Sequence, residues 1–116
     1  MKVREVITYK HHFDEFFAKQ PPKVRDKIIK VLDIIEQIER VPAQYLKFIE
    51  GTNGLFEVRV QLASNIFRIF CFFDGSKFVV LLSGFQKKTQ KTPAGEIERA
   101  VKLMNEYYKE KEENTL

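Results

Sequence analysis

The chain has 116 residues, 44% of them hydrophobic, with 11 Phe and a single cysteine. That describes one domain with a packed core, and excludes both a disordered chain and a disulfide scaffold. A formal net charge of +4 and an isoelectric point near 9.2 point to an anionic partner, either nucleic acid or an acidic protein surface.

In chain order, Lys2 to Tyr9 mixes Val3, Val6 and Ile7 with charges and is predicted as a short strand at or near a sheet edge. MKVREVITY lacks the apolar core of a secretion signal, and no run approaches the roughly 20 residues of a membrane span. No membrane is expected, and the predicted location is the cytoplasm. His11 to Ala18 reads as a brief helix with Phe13, Phe16 and Phe17 on one side. The adjacent His11 and His12 point about 100° apart on a helix and have no third ligand, so neither a metal site nor a cofactor is predicted. Pro21-Pro22 breaks that helix and opens the next, predicted over Lys23 to Arg40 with Val24, Ile28, Val31, Leu32, Ile35 and Ile38 in one stripe. Val41-Pro42 ends it. The segment to Gly54 reads as irregular but packed through Tyr45, Leu46, Phe48 and Ile49, with Lys47 placed to reach the charged face of a sheet.

Three strands follow in series. Leu55 to Leu62 alternates, with Phe56, Val58, Val60 and Leu62 on one face and Leu55, Glu57, Arg59 and Gln61 on the other. Ala63-Ser64-Asn65 turns the chain into Ile66 to Phe73, rich in aromatic and β-branched residues. Cys71 lies there and reads as a small buried hydrophobe. Asp74-Gly75-Ser76 is a hairpin signal, and Phe78 to Leu82, apolar throughout, suits an inner strand covered on both faces. Turns this short require antiparallel neighbours. Thr92-Pro93 starts a last helix with Ile97, Val101, Met104 and Tyr108 as its stripe, and residues 109–116 read as a frayed tail. The expected fold is a single α+β domain over residues 1–116, a small antiparallel sheet in the order β-α-α-β-β-β-α.

The charge is unevenly placed. Residues 55–92 carry six basic and two acidic side chains, whereas residues 93–116 carry four basic and six acidic. Arg59 and Arg68 fall on adjacent strands and can meet across one sheet, with Glu57 beside them and Lys87, Lys88 and Lys91 leaving the last strand. Guanidinium forks suit phosphate oxygens, and such a cluster can hold an RNA backbone or stabilise charge on a phosphate under attack. RNA supplies its own nucleophile, the 2′-hydroxyl. The protein then needs orientation, charge stabilisation and proton transfer, with Glu57 or a lysine of lowered pKa as the acceptor. Phe85, or Phe73, offers a ring on which an unpaired base can stack. The plainer reading stands beside this one: Arg68 pairs with Glu57 to close the sheet, the lysines solvate a loop, and Phe85 belongs to the core.

Leu55-x-Glu57-x-Arg59, Phe67-Arg68-Ile69, the turn at Gly75, Leu81-Leu82-x-Gly84-Phe85-x-Lys87-Lys88 and Thr92-Pro93 with Ile97 and Ala100 together resemble the RelE/ParE superfamily of toxins from toxin–antitoxin modules. Within it the resemblance is to the phage-derived, HigB-like branch. It implies a RelE-like fold and ribosome-dependent cleavage of mRNA that leaves a 2′,3′-cyclic phosphate. Arg59 and Arg68 match the strand arginines that such toxins use on the phosphate, and Lys87 and Lys88 match the basic segment after the strand. Many members use a histidine or tyrosine near the C-terminus. Here Tyr107 and Tyr108 fall in the predicted helix and His11 and His12 in a different element, which leaves the general acid and base unassigned.

The implied partners are mRNA, the ribosome and a cognate antitoxin, often a helix-turn-helix protein. RNA-binding roles fall to Lys47, Phe85, Lys88 and Lys91, and catalytic ones to Glu57, Arg59, Arg68 and Lys87. The superfamily also holds ParE-like gyrase poisons of the same fold, so two alternatives stay open: a non-nuclease inhibitor of DNA gyrase, and an inert homologue acting only through its antitoxin.

Overall fold

The computed structural model describes residues 2–88 and 91–114. Eight elements run in order: β1 (Glu5–Thr8), α1 (His12–Ala18), α2 (Pro22–Gln37), β2 (Leu46–Phe48), β3 (Leu55–Leu62), β4 (Asn65–Asp74), β5 (Phe78–Lys87) and α3 (Ala94–Asn114). The strands form one sheet in the order β1-β5-β4-β3-β2. β3, β4 and β5 make the expected antiparallel meander. The sheet as a whole is mixed, because β1 joins the outer side of β5 in parallel. A parallel pair needs a long crossover, and here almost the entire chain provides it.

Apolar side chains on both faces of the central strands require two covers. Phe13, Phe16, Val24, Ile28, Val31 and Ile35 of α1 and α2 pack over Val58, Val60, Phe67, Ile69, Cys71, Val79 and Leu81. Ala100, Leu103 and Met104 of α3 pack over Leu55, Phe70, Phe72, Val80 and Leu82. The predicted alternation of β3 therefore holds: Val58 and Val60 face α2, Leu55 faces α3. Cys71 is fully buried, and burial in apolar surroundings pushes its thiol pKa well up.

Several boundaries differ from expectation. α2 opens at Pro22 as predicted but closes at Gln37, and Ile38, placed in its stripe by periodicity, is exposed. Arg4 accounts for this end. Its Nη1 donates to the carbonyls of Ile35 and Ile38 and its Nη2 to that of Glu39, satisfying acceptors that a helix end leaves open. The segment read as irregular contains β2, an edge strand pairing Lys47 with Glu57 and Phe48 with Phe56. The tail read as frayed from residue 109 is helical through Asn114, held by Lys111, whose Nζ lies 2.8 Å from both carboxylate oxygens of Asp74. Residues 115 and 116 of that predicted tail, and Thr89 and Gln90 of the predicted basic loop, lie outside the described residues. Among the described residues no helix is long and apolar enough to cross a membrane.

Candidate functional site

α3 covers only part of its face of the sheet. Beyond Leu55, Phe70 and Phe72 the same face continues as Glu57, Arg59 and Gln61 on β3 and as Arg68 and Ile66 on β4. Arg59 stands directly opposite Arg68. The alternation that buries Leu55 under α3 thus carries the charged residues to the end that the helix leaves open.

Lys87 reaches this face by a β-bulge. Between the pairs Cys71–Leu81 and Ile69–Gly84, β4 advances two residues and β5 three, so one extra residue reverses the facing of β5 from there on. Val80 and Leu82 lie under α3 before the bulge, and Phe85 joins the same cluster after it. Lys87 then pairs with Ile66 on the side of the arginines. Unbroken alternation from Leu81 would instead have carried both side chains to the α1 face. Gly84 completes the bulge. A Cβ there would sit 2.6 Å from Cδ2 of Phe16, so the α1 ring occupies the room that glycine leaves.

The result is a cleft of about 740 Å³ whose walls include Lys47, Glu57, Arg59, Lys87, Lys91 and Thr92. Glu57, 7% exposed, is its anionic floor. Its Oε2 lies 3.3 Å from Arg59 Nε and 2.7 Å from Arg68 Nε. These are ion pairs by distance and not aligned hydrogen bonds, since neither Nε–H points along the line to the oxygen. Burial lowers the pKa of Arg68, with Glu57 opposing that shift, and the guanidinium stays charged. Lys87 is lowered by burial first and then by the positive charge of Arg68, Arg59 and Lys47, against the pull of Glu57.

The expected residues do not all converge. Glu57, Arg59, Lys47, Lys87 and Lys91 do. Arg68, expected in the same concavity, is 7% exposed and lines instead a smaller adjoining cavity of about 260 Å³ with Gln44, Arg59, Val60 and Gln61. The plainer reading of Arg68, as partner to Glu57, is therefore also met. Phe85 stacks on Phe70, centroids 5.6 Å apart, so its ring packs on the α3 cluster as the core alternative had it. Phe73 packs against Phe56 in the α2 cluster. Lys88 is exposed at the end of β5 and lies outside the cleft walls.

His12 meets Arg99, whose Nη2 lies 3.0 Å from His12 Nδ1, and His11 meets Glu15. Tyr107 donates to Asp74 and Tyr108 to the carbonyl of Phe73, at the far end of β4, roughly 20 Å of strand from Arg68. Neither histidine and neither tyrosine lines the cleft. Sequence reasoning missed Glu50, Thr92, Gln44 and Gln61. Of these Gln61 carried a signal, its place on the polar face of β3 two residues beyond Arg59. Among the described residues no group of three or more His, Cys, Asp or Glu side chains could hold a metal ion.

A mixed sheet between two helical layers, with a cationic cleft where the second layer stops short, defines a small α+β protein of RelE-like fold. The chain belongs to the phage-derived Gp49-like family (DUF891), which matches residues 15–105. Among solved structures it is similar to a chain of the archaeal RelE–RelB complex from Pyrococcus horikoshii OT3, with a TM-score of 0.52 and 16% identity over 78% of this chain and 99% of that one. No curated protein matches.

Proposed function

We propose that this chain is the toxin of a toxin–antitoxin pair and that it cleaves mRNA, on the ribosome, by turning the RNA's own 2′-hydroxyl on the adjacent phosphorus. The observation that carries the reading is the cleft itself: Lys47, Arg59, Lys87 and Lys91 gathered around Glu57, with Arg68 behind them. In the reaction the 2′-oxygen bonds to phosphorus while the bond from phosphorus to the 5′-oxygen breaks. The products are a 2′,3′-cyclic phosphate and a free 5′-hydroxyl. Arg59, with 30% of its side chain exposed, offers its donors to the phosphate oxygens where negative charge builds.

Lys87 is the side chain best suited to take the 2′-hydroxyl proton. Its lowered pKa leaves more neutral amine near neutrality than an ordinary lysine has. Glu57 serves the cations instead, held by two arginines. Lys47 comes from β2 and Lys87 from β5, so the two ammonium groups flank the arginines from opposite sides, as attacking and leaving oxygens do in an in-line displacement. Lys47 supplies the proton for the leaving 5′-oxygen. The RelE–RelB complex supports a partner antitoxin for this chain, and a helix-turn-helix protein is the expected kind.

The test is induced expression of the wild type and of Arg59→Ala with mapping of RNA 5′ ends. Wild-type induction is expected to stop growth and to produce new 5′-hydroxyl ends within translated messages, both lost in Arg59→Ala. Growth arrest with intact mRNA and broken DNA would overturn the nuclease in favour of gyrase inhibition, and undiminished toxicity of Arg59→Ala would remove the cleft from the mechanism.

A further inference from the structure

The cavity beside the cleft has no role in the cleavage chemistry, yet it shares Arg59 with the cleft. We propose that it is a nucleobase pocket that seats guanine next to the phosphate held by Arg59, read by Arg68, Gln61 and Gln44. This rests on the nuclease reading above and names the substrate feature that it selects.

The pocket is built from polar groups with capacity left over. Arg68, more than nine-tenths buried, places Nε against Glu57 and donates from Nη1 to the Phe67 carbonyl at 3.1 Å. Its Nη2 makes no hydrogen bond among the described residues, and the residue lines the cavity. Gln61 donates from Nε2 to the Ala63 carbonyl at 3.3 Å. That fixes the amide, leaving Oε1 as an acceptor. Gln44 adds a second carboxamide, positioned because the next residue, Tyr45, accepts a 2.8 Å hydrogen bond from the Arg59 backbone N–H. Val60 gives an apolar contact for a ring.

Donors from a fixed cation together with acceptors from carboxamides match one base best. Guanine presents O6 and N7 as acceptors to an arginine, and N1–H and the N2 amino group as donors to an amide oxygen. Adenine would turn its N6 amino group toward the Arg68 guanidinium, donor against donor. Uracil and cytosine lack the N7 acceptor. Because Arg59 and Arg68 are directly paired across β3 and β4, a base against Arg68 and a phosphate against Arg59 belong to the same or adjoining nucleotides.

The experiment is an NMR titration of the purified protein with guanosine, adenosine, cytidine and uridine 3′-monophosphates, following the side-chain amide signals of Gln44 and Gln61 and the backbone of Arg59 and Lys87. Guanosine 3′-monophosphate is expected to shift both sets and to bind at least several-fold more tightly than the others, with that advantage lost in the Gln44→Ala, Gln61→Ala double variant. Equal binding of all four nucleotides, with shifts at Lys87 and none at Gln44 or Gln61, would overturn the pocket and leave the phosphate site standing. No shift with any of them would count against both readings. The same double variant in the cell is expected to cut mRNA several-fold less and to lose enrichment of guanine at the cuts that remain. Unchanged enrichment would overturn the assignment.

Discussion

Arg68 and Glu57 hold opposite charges 2.7 Å apart while each is only 7% exposed. Two ions taken out of water are stable only as a pair, so removing either one strands the other. Arg68→Ala is therefore a poor test of chemistry, because it alters the floor of the cleft and the fold together. Arg68→Met and Glu57→Leu singly are each expected to cost about 2–4 kcal/mol, somewhat below the range for a fully enclosed pair because the cleft admits water. The double variant is expected to recover most of that. Urea denaturation of the four proteins checks it, and strict additivity of the two losses would mean the charges do not depend on one another.

Lys87 gives a prediction in pH. Its folded-state pKa is depressed by burial and by three neighbouring cations, so the unfolded chain binds more protons between that value and the ordinary lysine pKa. Stability contributed at this position therefore rises with pH across that window, and at neutral pH the charged side chain is a small burden. Lys87→Met is expected to match the wild type or exceed it by up to about 0.5 kcal/mol at pH 7 while losing about 10²–10⁴ in cleavage rate. In the wild type, cleavage is expected to rise with pH to a plateau whose midpoint lies below the usual lysine range, and Arg59→Gln is expected to move that midpoint upward. A rate profile flat in pH would remove Lys87 as the proton acceptor.

Gly84 and Phe16 share one volume. Gly84→Ala sets a methyl 2.6 Å from the Phe16 ring, and overpacking of this kind costs about 1–3 kcal/mol. Phe16→Leu in the same chain is expected to return part of the loss. Thermal unfolding of the single and double variants distinguishes this clash from a general intolerance of the strand.

Asp74 ties the far half of α3 to the sheet. The Lys111 ammonium first, then the Tyr107 phenol, hold its carboxyl below the ordinary value. Stability from this contact is thus present above the unfolded carboxylate pKa and lost as pH falls through the folded one. Burial first, and then Asp74, push the Tyr107 phenol up to about 12. Asp74→Asn is expected to speed amide exchange from Tyr107 to Asn114 several-fold and to lower the Tyr107 pKa in an ultraviolet titration. Exchange as slow as in the wild type would show that α3 is held by packing alone.

Much of this was legible from residue order. The alternation of Leu55, Glu57, Arg59 and Gln61, with a short turn before the next strand, placed Arg59 beside Arg68 on the polar side, and the two stand opposite each other. What escaped depended on contacts distant in the chain. The bulge is hidden because Phe78 to Leu82 is apolar at every position, so no alternation marks where the facing reverses. β2 is three residues long and exists because β3 offers it an edge. The end of α3 carries no apolar stripe, and Lys111 ties it to a carboxylate on another element. Arg68 was visible as a charge in an apolar strand, yet whether it faces a ligand or Glu57 is decided by how far α3 extends over it.

The extra residue in β5 means that the polarity of this end of the molecule hangs on the count of amino acids between Leu81 and Gly84. Gain of a single codon there, with the bulge still absorbing one residue, would leave the upstream strands almost untouched while turning Lys87 inward beneath α1 and Gln86 out into its place. Loss of one would only straighten the strand. Two proteins of nearly identical sequence and similar architecture, one with its lysine in the cleft and one without, would then be one small insertion apart.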